Sequence, residues 1–342
     1  MKTIVDMPEY LIKNIRELIK GGKYSDLSSF LTMSAENQLT MELSNEDEHN
    51  EYSKNTIDNT HNPEQKDGVD LSLLNKDISC ISPPAKESLV VYNPNYAEEE
   101  CMWGQINRIL PIKFSIRLLS NLISEENNLL SYEDFIKEAQ SQARKFGFIL
   151  LISDKRFKRK RDEKFSVGFP IGKEEEKALF RFSEQFIGSS RKDGKLSGAL
   201  PILRFANIIS KNGSKYIGIT KSGLEFSKLK NPCMDDLETN ISLSDEEINF
   251  YCHHIKESVP GEYTLYKEIL TIIHNGIDTR DSINDSLSRD INYLQNVEIT
   301  TVNTQRAGTM SRMHELGLIE KIKNGIYVKY RITQKGKNFI NI

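Results

Sequence analysis

Cysteine is scarce in this sequence, with four among 342 residues: Cys80, Cys101, Cys233 and Cys252. Their spacing fits neither a disulfide framework nor paired metal knuckles, which argues against a small stapled secreted fold and against a zinc module. A reducing cytoplasm is the expected compartment. No run reaches the about 18 apolar residues of a membrane span, so no membrane partner is expected. The opening MKTIVDMPEYLIKNIRELIK lacks a basic stretch, an apolar core and a small-residue cleavage site in series, so a signal peptide is not expected. Phosphate-loop chemistry is missing too. Gly21-Gly22 and Gly213 lack the strand-to-helix setting and the lysine that cradle phosphates. Glu98-Glu99-Glu100 and Glu174-Glu175-Glu176 are consecutive, so their carboxylates spread around a helix and do not converge. Cys252-His253-His254 has no second ligand pair and reads as a structural surface feature. No enzymatic activity, cofactor or metal is therefore expected.

What is present is charge, unevenly placed. The formal net charge is −3, yet Ser44–Glu100 alone holds thirteen acidic and four basic residues, which leaves +6 on the remainder. The last forty residues, Asn303–Ile342, hold eight Lys/Arg against two Glu. Lys155–Lys164 is a second basic run, with seven Lys/Arg; it reads equally as a phosphate grip or as a mobile surface loop. A local field of this kind matters more to a polyanionic partner than the total does.

Residues 2–7 alternate as a strand does, Pro8 opens an amphipathic helix, Gly21-Gly22 ends it, and Ser25 is a good N-cap for a second helix. About forty residues of this kind bury little apolar surface alone, so a partner chain is expected to complete the core. Residues 44–95 are acidic, polar and aperiodic and read as a mostly disordered linker. Farther on, helical patterns cover about 102–109, 111–123, 132–145 and 173–187, and FGFILLIS at 146–153 is strand-like. A repeat then stands out. ITKSGLEF at 219–226 matches ITQKGKNF at 332–339, and each follows two apolar strands around an Asn-Gly turn.

The N-terminal pattern over residues 1–43 resembles a ribbon-helix-helix domain of the Arc/MetJ/CopG type. That resemblance implies a homodimer through residues 1–43, with a shared ribbon entering the major groove. It gives Lys2, Ile4, Asp6 and Ser25 as candidate DNA contacts, although Asp6 and Ile4 suit such a surface poorly. The repeated blocks resemble winged-helix domains. One covers 96–236, with a basic insertion at about 147–195, and the other covers 244–342. In the second, helices are expected at about 262–274, 280–288 and 305–316, and the wing at 318–332. In the first, the third helix is expected at 197–205.

In that family the third helix lies in the major groove and the wing follows the backbone. The resemblance thus implies Arg306, Thr309, Ser311 and Arg312 as groove-facing residues and Lys321, Lys323 and Lys329 as wing contacts. In the first unit it implies Arg204, Lys211, Asn212 and Lys215. The expected fold is mainly α with small β, a ribbon-helix-helix module followed by two winged-helix domains. The expected function is sequence-specific binding of double-stranded DNA as a homodimeric prokaryotic transcriptional regulator. The alternative is a scaffold subunit of a plasmid-maintenance, replication or defence assembly, its winged helices touching protein partners.

Overall fold

The computed structural model describes Ile15, Arg16, Lys20 and Leu27, then residues 101–123, 129–190, 195–236, 240–324 and 327–341. The ribbon-helix-helix expectation rests on residues almost all outside this set; Lys2, Ile4, Asp6 and Ser25 lie outside it, and so does the expected linker at 44–95. Ile15, Arg16, Lys20 and Leu27 are helical. All contacts discussed below lie within the unit Val69–Ile342.

That unit is mainly helical with small sheets. Its first half runs α1 (Leu110–Leu122), β1 (Leu130–Ser131) and α2 (Tyr132–Arg156), then α3 (Glu175–Phe182) with a wide turn to Ile187. The short pair β2 (Ser189–Ser190) and β3 (Leu196–Ser197) leads to α4 (Ala199–Ile202), the hairpin β4 (Ala206–Lys211) and β5 (Ser214–Ile219), and α5 (Lys221–Lys228). Two connecting helices follow, α6 (Pro232–Asp235) and α7 (Asp245–Ser258). The second half runs α8 (Pro260–His274), α9 (Arg280–Asp290), α10 (Ile299–Glu315), the hairpin β6 (Ile319–Asn324) and β7 (Tyr327–Ile332), and α11 (Gln334–Phe339).

The two halves share one strand plan. In the first, β1 pairs antiparallel with β5 and β5 with β4, so the edge strand before the second helix lies against the last hairpin strand. In the second, Thr279, just ahead of α9, bridges Lys329 of β7, and β7 pairs with β6. The sequence repeat has a physical cause. Thr220 Oγ1 accepts from Gly223 N at 3.1 Å and donates to Arg204 O at 2.6 Å. Thr333 Oγ1 accepts from Gly336 N at 3.0 Å and donates to Gly317 O at 2.6 Å. Each threonine caps the helix after its hairpin and ties it to the turn before that hairpin. The glycines are required by close approach: a Cβ would fall 2.0 Å from Phe205 O at Gly223 and 2.2 Å from Leu318 O at Gly336.

Three sequence expectations are corrected. FGFILLIS is not a strand but the end of the 25-residue helix α2. Its buried members Phe146, Ile149, Leu150 and Ser153 recur every three or four residues, while Phe148 and Ile152 face out. Glu133 and Asp134 in the first turn and Lys155 and Arg156 in the last suit a long helix dipole. Residues 102–109 are not helical; their backbone groups bond instead to side chains of α8 and α10, as described below. His254 is not a surface residue. It stacks on Phe205 with centroids 4.7 Å apart, and its Nε2 lies 2.7 Å from Leu203 O.

One apolar core runs through both halves. The expected insertion contributes to it: Phe169 packs edge-on against Phe114 and Phe146, and Phe182 and Phe186 extend the same cluster. Buried ion pairs stitch the join. Lys113 Nζ of α1 is 2.9 Å from Glu247 Oε1 of α7, and Arg117 NH1 is 2.5 Å from Asp235 Oδ1 of α6. Arg117 also donates to the carbonyls of Ser227 and Leu229.

Because both threonine caps perform the same task, Thr220→Ala and Thr333→Ala should each cost ~1 kcal/mol of stability. Urea unfolding of the two variants checks this, and a cost at one position alone would contradict the structural equivalence of the caps.

Candidate nucleic-acid interface

Helix α10 is the element expected to present groove-reading residues, and the structure turns most of them inward. Arg312 is fully buried. Its NH2 and Nε lie 2.8 and 3.1 Å from Glu262 Oε1 on α8, and Nε also meets Tyr266 Oη at 3.3 Å. NH1 donates to the carbonyls of Ile106 and Trp103. Thr309 is buried, donates to Gln305 O at 2.8 Å and accepts from Arg312 NH2 at 3.2 Å. Arg306 is buried, with Nε 2.7 Å from Asn284 Oδ1 of α9. These three are corrections to the expected contact set: their donors serve internal acceptors and do not face solvent.

The cause is the segment 101–109, which crosses α10. Met102 N donates to Glu262 Oε2 at 3.0 Å, Gln305 Nε2 to Met102 O at 2.7 Å, and Ile109 N to Glu315 Oε2 at 2.7 Å. The crossing is backbone on backbone: a Cβ at Gly104 would sit 2.1 Å from Thr304 O, and one at Gly308 1.8 Å from Gly104 O. The positions of α10 left facing solvent or partly so are Ile299, Thr300, Thr301, Asn303, Thr304, Ala307, Ser311, His314 and Glu315, and the Glu315 carboxylate is taken up by the Ile109 amide. Of the expected groove residues on this helix, Ser311 alone is among them. Beside the start of α10 lies a cleft of ≈ 410 Å³ lined by Trp103, Gly104, Gln105, Thr300, Thr301, Thr304 and Gln305, with no ionisable side chain.

The hairpins keep Lys211, Lys215, Lys323 and Lys329 outside, whereas Lys321, expected as a wing contact, is mostly buried and is a further correction. Lys211 and Lys215 are exposed at the end of β4–β5 around Asn212 (φ +53°) and Gly213 (φ +78°), the turn that Asn-Gly favours. Arg204 is half-buried with φ +57° in the turn before β4, and its carbonyl holds the Thr220 hydroxyl. Helix α4 is buried at all four positions, so the third helix of the first half offers no surface. On the second hairpin Lys329 Nζ is 3.1 Å from Asp278 Oδ2 and 60% exposed.

Lys321 and Lys323 share a partner that sequence reasoning did not single out. Asp162, inside the basic run, has Oδ2 2.8 Å from Lys323 Nζ and 3.9 Å from Lys321 Nζ, and its carbonyl accepts from Arg108 NH2 at 2.5 Å. The hydrogen bond from Lys323 holds the Asp162 carboxyl below the usual range. Burial pushes Lys321 down, an effect that Asp162 opposes and that the charges of Arg108, Lys323 and Arg280 reinforce. His314 is pushed down by burial first, then by Lys321 and Arg108. Three cations from two stretches of chain, Arg108 and the two β6 lysines, thus meet one aspartate.

The other end of the basic run is fixed by Asp154, which is buried. It accepts from Arg159 NH1 at 2.9 Å, Phe165 N at 2.9 Å, Ser166 N at 3.0 Å and Ser166 Oγ at 2.6 Å. Among the described residues no group of three or more His, Cys, Asp or Glu could hold a metal ion, and no helix is long and apolar enough to cross a membrane.

No protein-family model, curated protein or solved structure matches this chain.

Arg312→Ala should leave Glu262 buried without its partner and cost ~3–5 kcal/mol of stability, read as a lowered urea midpoint. An unfolding free energy within ~0.5 kcal/mol of the unaltered protein's would mean that Arg312 is not held as a buried ion pair. Asp162→Asn should weaken the tie between loop and hairpin. Partly exposed pairs contribute ~1 kcal/mol or less, so tryptic cleavage after Lys160 or Arg161 should accelerate about two- to fivefold, as gel time courses would show. Unchanged cleavage would mean the loop is held by other contacts.

Proposed function

We propose that this chain binds double-stranded DNA through a pair of winged-helix units, and that it acts as a sequence-specific regulator. The observation that carries this reading is the strand plan repeated in both halves. In each, a helix, a short edge segment (a strand in the first half, the single bridge at Thr279 in the second), further helices and a hairpin follow in order, with the edge segment on the last hairpin strand. Lysines stand along both hairpins: Lys211 and Lys215 on one, Lys323 and Lys329 on the other. Such side chains neutralise phosphates and fix the protein on a duplex without reading its sequence.

Sequence reading falls to the outer stripe of α10. Asn303, whose Oδ1 accepts from Asn284 Nδ2 at 2.5 Å, keeps its amide donors for base edges, Thr304 and Ser311 carry hydroxyls, and Ala307 allows close approach of the helix to a groove floor. Arg306 and Arg312 support that helix from beneath. The N-terminal ribbon-helix-helix reading adds a homodimer through residues 1–43, so that weak single contacts combine at a composite site.

A second reading has one observation in its favour. The cleft beside α10 is uncharged, Trp103 in its wall is exposed, and so is Ile299, the chain neighbour of its Thr300, as a protein-docking scaffold would need.

Fluorescence anisotropy with a labelled duplex pool across a salt series separates the two. Duplex affinity should fall steeply with salt. Lys323→Ala should lower the log–log salt slope by about 0.9 and weaken all sequences alike, as loss of one phosphate contact does. Ser311→Leu should instead erase preference among sequences while leaving the slope in place. A flat salt response would sink the DNA reading and leave the docking scaffold as the better account.

A further inference from the structure

We propose that the loop Phe157–Lys164 is part of the phosphate-binding surface: strapped to the hairpin β6–β7 by Asp162, it joins Lys158, Lys160 and Arg161 to Lys323 in one ridge that follows a nucleic-acid backbone. This rests on the DNA-binding reading above and adds to it an element from the opposite half of the unit.

The loop is built, not merely tethered. Lys158 turns the chain out of α2 with φ +50°. Its amide donates to Lys155 O at 3.1 Å, and Lys160 O accepts from Glu163 N at 2.8 Å and Lys164 N at 3.1 Å. Asp154 binds the return of the loop at Phe165 and Ser166, and the Arg159 guanidinium at its start. Arg159 also lies over the rings of Phe165 and Phe157, 3.9 and 4.8 Å from their centroids. Between these anchors the side chains of Lys158, Lys160 and Arg161 are exposed.

The charge balance shows which partner fits. Acids within the loop are Asp162 and Glu163. Asp162 is taken up by Lys323, Lys321 and Arg108, and Lys321 is itself 12% exposed. A loop free to move would let Lys158, Lys160, Arg161 and Lys323 spread apart and weaken their mutual repulsion. The strap does the opposite. It holds Asp162, and with it the backbone of the exposed Arg161 one residue away, to the lysine of the hairpin. A row of like charges kept close by its own scaffold is compensated by a row of opposite charges, and a nucleic-acid strand supplies one phosphate every few ångströms. Continuity with a hairpin already assigned to the duplex backbone favours a nucleic acid over an anionic membrane surface.

The test uses the full chain and compares Arg161→Ala with Lys137→Ala. Lys137 is also exposed on α2, twenty-four residues before Arg161 in the chain. Its position near the start of α2 puts it ~30 Å from the loop along the helix axis. Anisotropy with random-sequence duplex is measured over a salt series, with circular dichroism to confirm folding. Arg161→Ala should reduce affinity roughly tenfold at ~50 mM salt and lower the salt slope by about 0.9, equally for every sequence, while Lys137→Ala leaves the slope in place.

Equal losses from both variants would mean a diffuse field without a phosphate contact, and no loss from Arg161→Ala would remove the loop from the surface; either result overturns the proposal. A third arm uses phosphatidylserine vesicles. Weakened vesicle binding with intact duplex binding would reassign the ridge to a lipid surface and also overturn it. Failure of the proposal is distinct from failure of the DNA reading: in the first case the unaltered protein still binds duplex with a steep salt slope that Lys323→Ala reduces, and in the second that slope is flat from the start.

Discussion

The pairing of Arg312 with Glu262 sits where three separate stretches of chain meet. Glu262 lies in the first turn of α8, Arg312 in the last turn of α10, and the carbonyls of Trp103 and Ile106 come from the segment that leads into α1. A guanidinium in a water-free interior needs most of its donors answered, and this one is answered by a carboxylate and backbone oxygens together. The carboxylate in turn receives the amide of Met102. Remove any member and the others are left buried with unanswered charge or hydrogen-bonding groups. The path of residues 101–109 follows from this, and so does the identity of the α10 face that remains in contact with solvent.

A similar logic joins the halves at their other contact. Lys113 and Arg117, on one side of α1, reach the carbonyls that end α5 and the acids of α6 and α7. Buried ion pairs of this kind add little net stability compared with apolar packing, but they tolerate few alternative registers. Apolar contacts supply the bulk of cohesion, and the charged groups specify which helix end meets which loop.

Much of the architecture was legible in the sequence because it rests on local signals. Asn212-Gly213 between two apolar runs is a hairpin wherever it occurs, and the threonine and glycine of the ITxxG repeat serve one cap in both copies. Helix limits at Pro111, Tyr132 and Arg280 were close to those seen, since proline, acidic first turns and apolar spacing mark them. What misled was non-local. FGFILLIS has strand composition, but its backbone continues a helix whose apolar face packs on Phe114 and Phe169. Arg312 looked like a ligand-facing residue because arginine is seldom buried, and its partner lies fifty positions away in another helix. Asp162 was hidden for the opposite reason: one of two acids among seven cations reads as noise until the hairpin lysines are seen beside it. Its position inside the run was the one available signal.

The insertion that separates α2 from α4 makes the two copies of the repeat unequal. One carries a third helix of four wholly buried residues, the other a helix of seventeen with a solvent-facing stripe. A single chain lying on a duplex would therefore grip it differently at its two ends, one end by hairpin alone and the other by hairpin and helix. The stretch of base pairs beneath such a chain has a head and a tail. Its sequence would read differently in the two directions, and any palindrome in a full recognition site would arise from pairing two chains, not from the repeat within one.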